Sequence, residues 1–239
     1  MSNKHIPQIF QGSSTDLNFL QNESVDYIYI DPPYGAHINY LDLSTIWYSW
    51  LNLPKHKKND LKLEVIEGGG FNNSKEYYIE LLEKSFKELY RTLKNNKHLS
   101  IAFSHKELRY WYEIVNKCEK LGFQYVSTQY YSAFYKSYHK ISNPLKTMSG
   151  QLIINFKKTK STNKIIKKKS LSNIEKYILS KIKLIISKED SSTEAIFNKL
   201  IPDLLERRIL NEKNHNIDII HLLEENYSFD KEILKWKKK

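Results

Sequence analysis

The chain has 239 residues, a formal net charge of +11 and a pI near 9.3, with 40% hydrophobic residues including 4 Trp, 17 Tyr and 10 Phe. That length suits one domain plus an appendage with a real core, and the charge favours a polyanionic partner. A single cysteine, Cys118, excludes a disulfide framework and a cysteine-based zinc site; no apolar run approaches the roughly 18 residues of a membrane span, and the polar N-terminus is no signal peptide, so a cytoplasmic location is expected.

In chain order, Ile6 to Phe10 reads as a short strand, Gly12-Ser13-Ser14 as a turn and Thr15 to Leu20 as a short capped helix. Val25 to Ile30 is an apolar strand. Leu43 to Leu53 is aromatic and helical, Lys55 to Asp60 a basic loop, and Glu67-Gly68-Gly69-Gly70 a flexible one. Asn73 to Lys94 is a strong amphipathic helix with Tyr78, Leu82, Phe86, Leu89 and Leu93 on one face; Asn73 followed by Glu76 is a credible start. Leu99 to Phe103 is a strand. Lys106 to Leu121 is a helix with Leu108, Trp111, Val115 and Cys118 inward, stopped by Gly122. Phe123 to Tyr131 and Gln151 to Phe156 are the closing strands.

After Phe156 the character changes. Residues 157–169 hold seven lysines and no acid, which suits a solvated linker or a phosphate-contacting arm equally. Residues 172–239 show helical patterns, marked by Ile174, Tyr177, Ile178 and Ile182, then Ile196, Leu200, Leu204 and Ile209, then Ile219, Leu222 and Leu223, and no convincing strand. The division expected is a catalytic region over 1–157, a basic linker over 158–171 and a helical appendage over 172–239. The alternation of strands and helices before it is an α/β fold.

The chemistry sits at Asp31-Pro32-Pro33-Tyr34, directly after the strand 25–30. Asp31 can accept a hydrogen bond from an exocyclic amino group. The carbonyl before a proline has no competing amide donor beside it and can accept a second. Tyr34 offers a flat surface for an extruded base. The alternative is a plain strand-ending turn.

On these residues the chain resembles the amino-methyltransferases of DNA that carry the D-P-P-Y motif. The resemblance extends to Gly35–Leu51, to Phe86–Lys94, to Phe103-Ser104-His105 and to Leu121-Gly122-Phe123, covering about residues 8–157. It implies a partial Rossmann-like methyltransferase sheet, S-adenosyl-L-methionine as methyl donor, and DNA as substrate. Aspartate in first place is more typical of enzymes acting on N6 of adenine, as in restriction-modification systems. Asp31, Pro32, Pro33 and Tyr34 are then the catalytic set. Gly12 and Ser13 stand where relatives bring a turn under the donor's adenine, although the acid usual there is displaced to Asp16.

The resemblance also exposes a gap. Such enzymes hold the donor's methionine end on a glycine-rich turn after a strand, and the one candidate here is Gly68-Gly69-Gly70. It lies between the motif strand and the next helix, where a substrate-side loop belongs, and is rejected on that ground. The expectation is therefore a split subunit, with the turn on a second protein, or a truncated fragment. An RNA guanine-N2 methyltransferase and an inactive DNA-binding remnant are the alternatives.

Around the motif, His37 and Asn39 could touch the target nucleotide or stabilise the loop. Tyr40, Trp47, Tyr48 and Trp50 suit stacking or packing, and Trp47 and Leu51, four apart, are placed in packing. Tyr130, Tyr131, Phe134, Tyr135 and Tyr138 interleave with Lys136 and Lys140, a pattern that suits an unstacked strand. His105 reads as a capping or core histidine, Cys118 as an inert core thiol. No His, Asp and Glu cluster has metal-ligand spacing, so no metal is expected.

Overall fold

The computed structural model describes residues 7–36, 38–54, 57–132, 150–159, 173–188 and 191–239. Its centre is a four-stranded mixed sheet built from β1 (Val25–Ile30), β2 (Leu93–Phe103), β3 (Phe123–Tyr131) and β4 (Gln151–Lys158), in the order β1-β2-β4-β3. β1 and β2 are parallel, with Ile28 opposite Leu99 and Ile30 opposite Ile101. The crossover between them is α3 (Lys75–Thr92), as a parallel pair requires. β4 returns antiparallel between β2 and β3. This is the α/β fold expected, with β4 making the sheet mixed.

One face of the sheet is covered by α3 and by α4 (Leu108–Leu121). Ile28, Leu99, Ile101, Phe103, Leu152, Ile154 and Phe156 meet Tyr78, Leu82, Phe86, Leu89, Leu108, Trp111, Val115 and Cys118 in one buried cluster. Both helical periodicities therefore mark the faces they were expected to mark. A fully buried side chain of this size contributes roughly 1.5–3 kcal/mol. α4 ends at Gly122 with φ +107, and a Cβ there would meet the Tyr90 hydroxyl at 2.7 Å. Only glycine fits that stop.

Several local expectations fail. Residues 7–10 form no strand and 15–20 turns rather than a helix. This stretch is held instead by side chains of α3. Glu88 accepts the Leu17 N–H at 2.9 Å, and Arg91 reaches the carbonyls of Leu17 and Leu20. Ser74, not Asn73, caps α3, accepting the Tyr77 N–H at 3.1 Å. β2 starts at Leu93, six residues early, and the basic loop runs into the short α2 (Lys58–Leu63). Lys158, second in the lysine run, closes β4 and turns inward, giving hydrogen bonds to the carbonyls of Tyr90 at 2.8 Å and Leu93 at 2.7 Å.

The C-terminal region carries α5 (Ile174–Lys188), α6 (Thr193–Glu206) and α7 (Ile219–Asn226), then a hairpin of β5 (Tyr227–Asp230) and β6 (Lys235–Lys238). That hairpin overturns the reading of a strandless tail. It forms around Trp236, which is buried and donates its indole N–H to Thr193 Oγ1 at 3.0 Å. Arg208, just past α6, pairs with Glu119 of α4 at 2.6 Å and lies over the Tyr125 ring of β3. No described helix is long and apolar enough to cross a membrane.

Candidate active site

β1 stops at Asp31-Pro32-Pro33 because neither proline can donate to the ladder. The motif thus emerges at the C-terminal end of a parallel strand, where open α/β sheets place their ligands. Asp31 is exposed, and Pro32, Pro33 and Tyr34 are half-buried. The Tyr34 ring stands edge-on to Phe103, the last residue of β2, at 5.2 Å between centroids, and its hydroxyl donates to Asp31 Oδ1 at 2.6 Å. Burial first, then this bond to the Asp31 carboxylate, pushes the Tyr34 phenol well above its usual range, so it stays a protonated donor.

The loop after the motif is pinned from below. Tyr78 of α3 donates to the Pro33 carbonyl at 2.5 Å, which also accepts the Gly35 N–H at 3.2 Å. Gly35 has φ +63, and a Cβ on it would meet the Tyr110 hydroxyl at 3.1 Å and His105 Nε2 at 3.4 Å. Its carbonyl accepts the Glu67 N–H, and the Glu67 carboxylate takes the Tyr110 hydroxyl. Burial first, and then the Glu67 carboxylate, raises both phenols, with Tyr110 also bonded to it. His105 accepts the Glu107 N–H on Nδ1 at 3.0 Å and is buried, the core position of the capping-or-core reading; the N-cap of α4 is Glu107.

Tyr78, Tyr110 and Glu67 escaped the sequence reading of the site. Tyr78 was visible as a core-face residue of α3, but its hydroxyl end left no periodic signal. Glu67 was hidden in the glycine-rich loop. That loop begins after α2 with no strand before it, and Gly68 and Asn73 exchange N–H···O bonds of 2.7 Å each, closing the turn on itself. This matches its rejection as a cofactor turn, which needs a strand on one side and a helix N-terminus on the other.

Gly12 and Ser13 are exposed, and the Ser13 hydroxyl is shared with Thr15 at 2.7 Å. Ser14 bonds to Ser85 of α3 at 2.9 Å, seven residues along the helix from Tyr78. The pair therefore lies along α3 from the motif, not at it. Asn39 is the half-buried residue preceding α1 (Tyr40–Trp50). His37, Lys136 and Lys140 lie outside the described residues, as do Phe134, Tyr135 and Tyr138. Trp47 and Leu51 are not in the core of the described residues, as packing would require: both are more than half exposed, with Trp47 edge-on to Trp50. Among the described residues no group of three or more His, Cys, Asp or Glu could hold a metal ion.

The sequence model of the N6/N4 DNA methylases matches residues 25–221. The chain belongs to the DNA methylase family. No curated protein matches it in sequence. Two solved structures are similar to it at low identity. One is a Thermus thermophilus protein described as a putative DNA modification methylase, in complex with S-adenosyl-L-methionine. It is 15% identical, covers 72% of this chain and 64% of its own, and has a TM-score of 0.38. The other is the PvuII DNA methyltransferase, cytosine-N4-specific, at 15% identity, 63% and 48% coverage and a TM-score of 0.40. The chain spans 56% of the length of the uncomplexed Thermus structure.

Proposed function

We propose that this family member is the catalytic part of an S-adenosyl-L-methionine-dependent DNA methyltransferase acting on N6 of adenine, working with a glycine-rich segment from outside these residues. The observation that carries the reading is the motif itself, presented at the open end of a parallel strand with its carboxylate exposed and its ring braced. Aspartate in first place favours adenine over cytosine by resemblance. The net charge of +11 suits DNA.

An extruded adenine entering at Asp31–Tyr34 would give its two N6 hydrogens to the Asp31 carboxylate and the Pro32 carbonyl. The Pro33 carbonyl is already taken by Tyr78 and Gly35. Both hydrogens held, the nitrogen lone pair points out of the amino plane, and Tyr34 stacks on the ring. Positioning and charge placement lower the barrier without a covalent enzyme intermediate. His37, Asn39, Lys136 and Lys140 are proposed contacts to the surrounding strand. The donor supplies an electrophilic methyl group when bound. Gly12 and Ser13, open to solvent, are proposed for its adenine end, and the one run of glycines is closed on Asn73.

The test is a methylation assay on unmodified duplex DNA, with and without a glycine-rich methyltransferase segment added in trans, followed by nucleoside analysis. N6-methyladenine only in the supplemented reaction is expected. N4-methylcytosine would reassign the base, and no product in any combination would overturn the reading.

A further inference from the structure

We infer that the loop from Glu64 to Asn73 is a bracket fixing the stretch between the motif and α1, with Glu64 and Glu67 as its positioning residues; their part in methylation rests on the proposed function. The loop holds the glycine run rejected as a cofactor turn, and its two acids grip the chain at separate points. Glu67 donates its N–H to the Gly35 carbonyl at 3.2 Å, and its carboxylate takes the hydroxyl of Tyr110, whose ring lies against Gly35. Glu64 Oε1 accepts the Leu41 N–H at 3.0 Å. Gly35 directly follows Tyr34, and Leu41 lies in the first turn of α1. Both ends of the stretch that carries Asn39 are therefore tied to one loop.

The first turn of a helix has N–H groups with no partner inside the helix. Asn39, at the N-cap of α1, makes no side-chain cap bond. Glu64 supplies that acceptor from across the gap, and a carboxylate suits the positive end of a helix. The loop can hold both acids in place because it is itself closed. Ile66, between them, is buried, and Asn73 Nδ2 holds the Glu64 carbonyl at 3.5 Å. Gly68 and Asn73 exchange their backbone bonds one turn further on. Gly69 has φ +69, and a Cβ on it would meet Ile66 Cδ1 at 2.6 Å. The glycines thus shape the turn that presents the acids. What the bracket sets is the place of the Pro32 carbonyl and the Tyr34 ring relative to Asn39, and a misplacement of about 1 Å at such a site can cost roughly 100-fold in rate.

The complemented methylation assay tests this. Glu67→Ala, acting beside the motif, should lower kcat by roughly 10- to 100-fold with KM for duplex DNA little changed. Tyr110→Phe removes the same bond from its other partner and should match that loss, and the double variant should lose no more than either alone. Glu67→Gln keeps an oxygen acceptor and should recover most of the rate. A role in folding alone would lower stability in Glu67→Ala without this kinetic pattern, and if that variant does not fold, Tyr110→Phe decides. Amide hydrogen exchange of the full chain reads the bracket without any reaction. Leu41 should lose protection in Glu64→Ala and keep it in Glu64→Gln, and the amide of Glu67 should lose protection in Tyr110→Phe. Unchanged protection would overturn the bracket, and lost protection with unaltered kinetic constants would overturn the positioning role. A parent complex that makes no methylated base would overturn the proposed function and the positioning role with it, while the exchange result would still stand.

Discussion

The Tyr34 hydroxyl donates to Asp31 Oδ1 at 2.6 Å, tying the ring proposed to stack on a base to the carboxylate proposed to hold that base's amino group. The bond keeps the two groups in register before any base arrives. It also occupies one acceptor of Asp31, leaving the other oxygen to a substrate.

Asp31→Ala removes the charged acceptor without touching a buried contact, since Asp31 is exposed. Methylation in the active complex should fall by about 30- to 1000-fold, corresponding to roughly 2–4 kcal/mol of transition-state stabilisation. Thermal stability and DNA affinity should barely move. A normal turnover rate in a single-turnover assay would remove Asp31 from the chemistry.

The two roles of Tyr34 separate by substitution. Tyr34→Phe keeps the ring and its edge contact with Phe103 and loses the bond to Asp31. Tyr34→Ala loses both. Stacking of one base on an aromatic is worth roughly 1–3 kcal/mol. Binding of an oligonucleotide with 2-aminopurine at the target position, followed by fluorescence, should weaken by about 5- to 150-fold for alanine and only slightly for phenylalanine. Equal losses in both variants would place the hydroxyl, not the ring, at the centre of base binding.

Gly35→Ala puts a Cβ on a backbone with φ +63 and against Tyr110 and His105. The strain costs roughly 1–2 kcal/mol and should appear as a lower urea midpoint with the slope unchanged. Unaltered stability would mean that the loop after the motif is free to move, and that the pinning by Tyr78 and Tyr110 does not hold it.

Much of the core was legible in the sequence because periodicity reports burial. The face of α3 and the inward set of α4 were readable from spacing alone, and so was the motif, because two prolines at the end of an apolar strand leave few structural readings. What failed did so for local reasons. The segment 15–20 carries helix-like residues but is claimed by Glu88 and Arg91, and tertiary hydrogen bonds override weak propensity. The hairpin of β5 and β6 is four residues a side, too short for alternation to show. α1 was readable as a helix, but the exposure of Trp47, Trp50 and Leu51 was not, because apolar spacing suggests a packed face without saying what packs on it.

The isolated chain should bind S-adenosyl-L-methionine weakly or not at all. Half a site loses more than half the binding free energy, since the cost of immobilising the ligand remains. Isothermal titration should show no micromolar binding until the glycine-rich segment is added. Tight binding by the chain alone would mean that Gly68–Gly70 opens from its closed turn to hold the donor.

Duplex DNA binding should weaken steeply with salt, each phosphate contact adding a slope of roughly −0.9 in log–log terms. Changing Lys167, Lys168 and Lys169 together to Gln should make that slope shallower. If it stays the same, the lysine run is a solvated linker, and the phosphate contacts lie elsewhere on the surface.

The indole of Trp236 sits at the heart of the helical region, bonded to Thr193 at the start of α6 and ringed by Phe229 at 5.1 Å. The sheet needs nothing beyond residue 158 to pair its last strand. The last strand of the sheet is thus complete in sequence well before Trp236 is made, although both parts share one buried core. While a ribosome is still making residues 174 to 235, the strands can already be paired, yet the helices remain without their keystone. A pause in that interval leaves Ile196, Phe197 and Leu200 in want of a cover, and this is the stage at which a chaperone would meet the nascent chain.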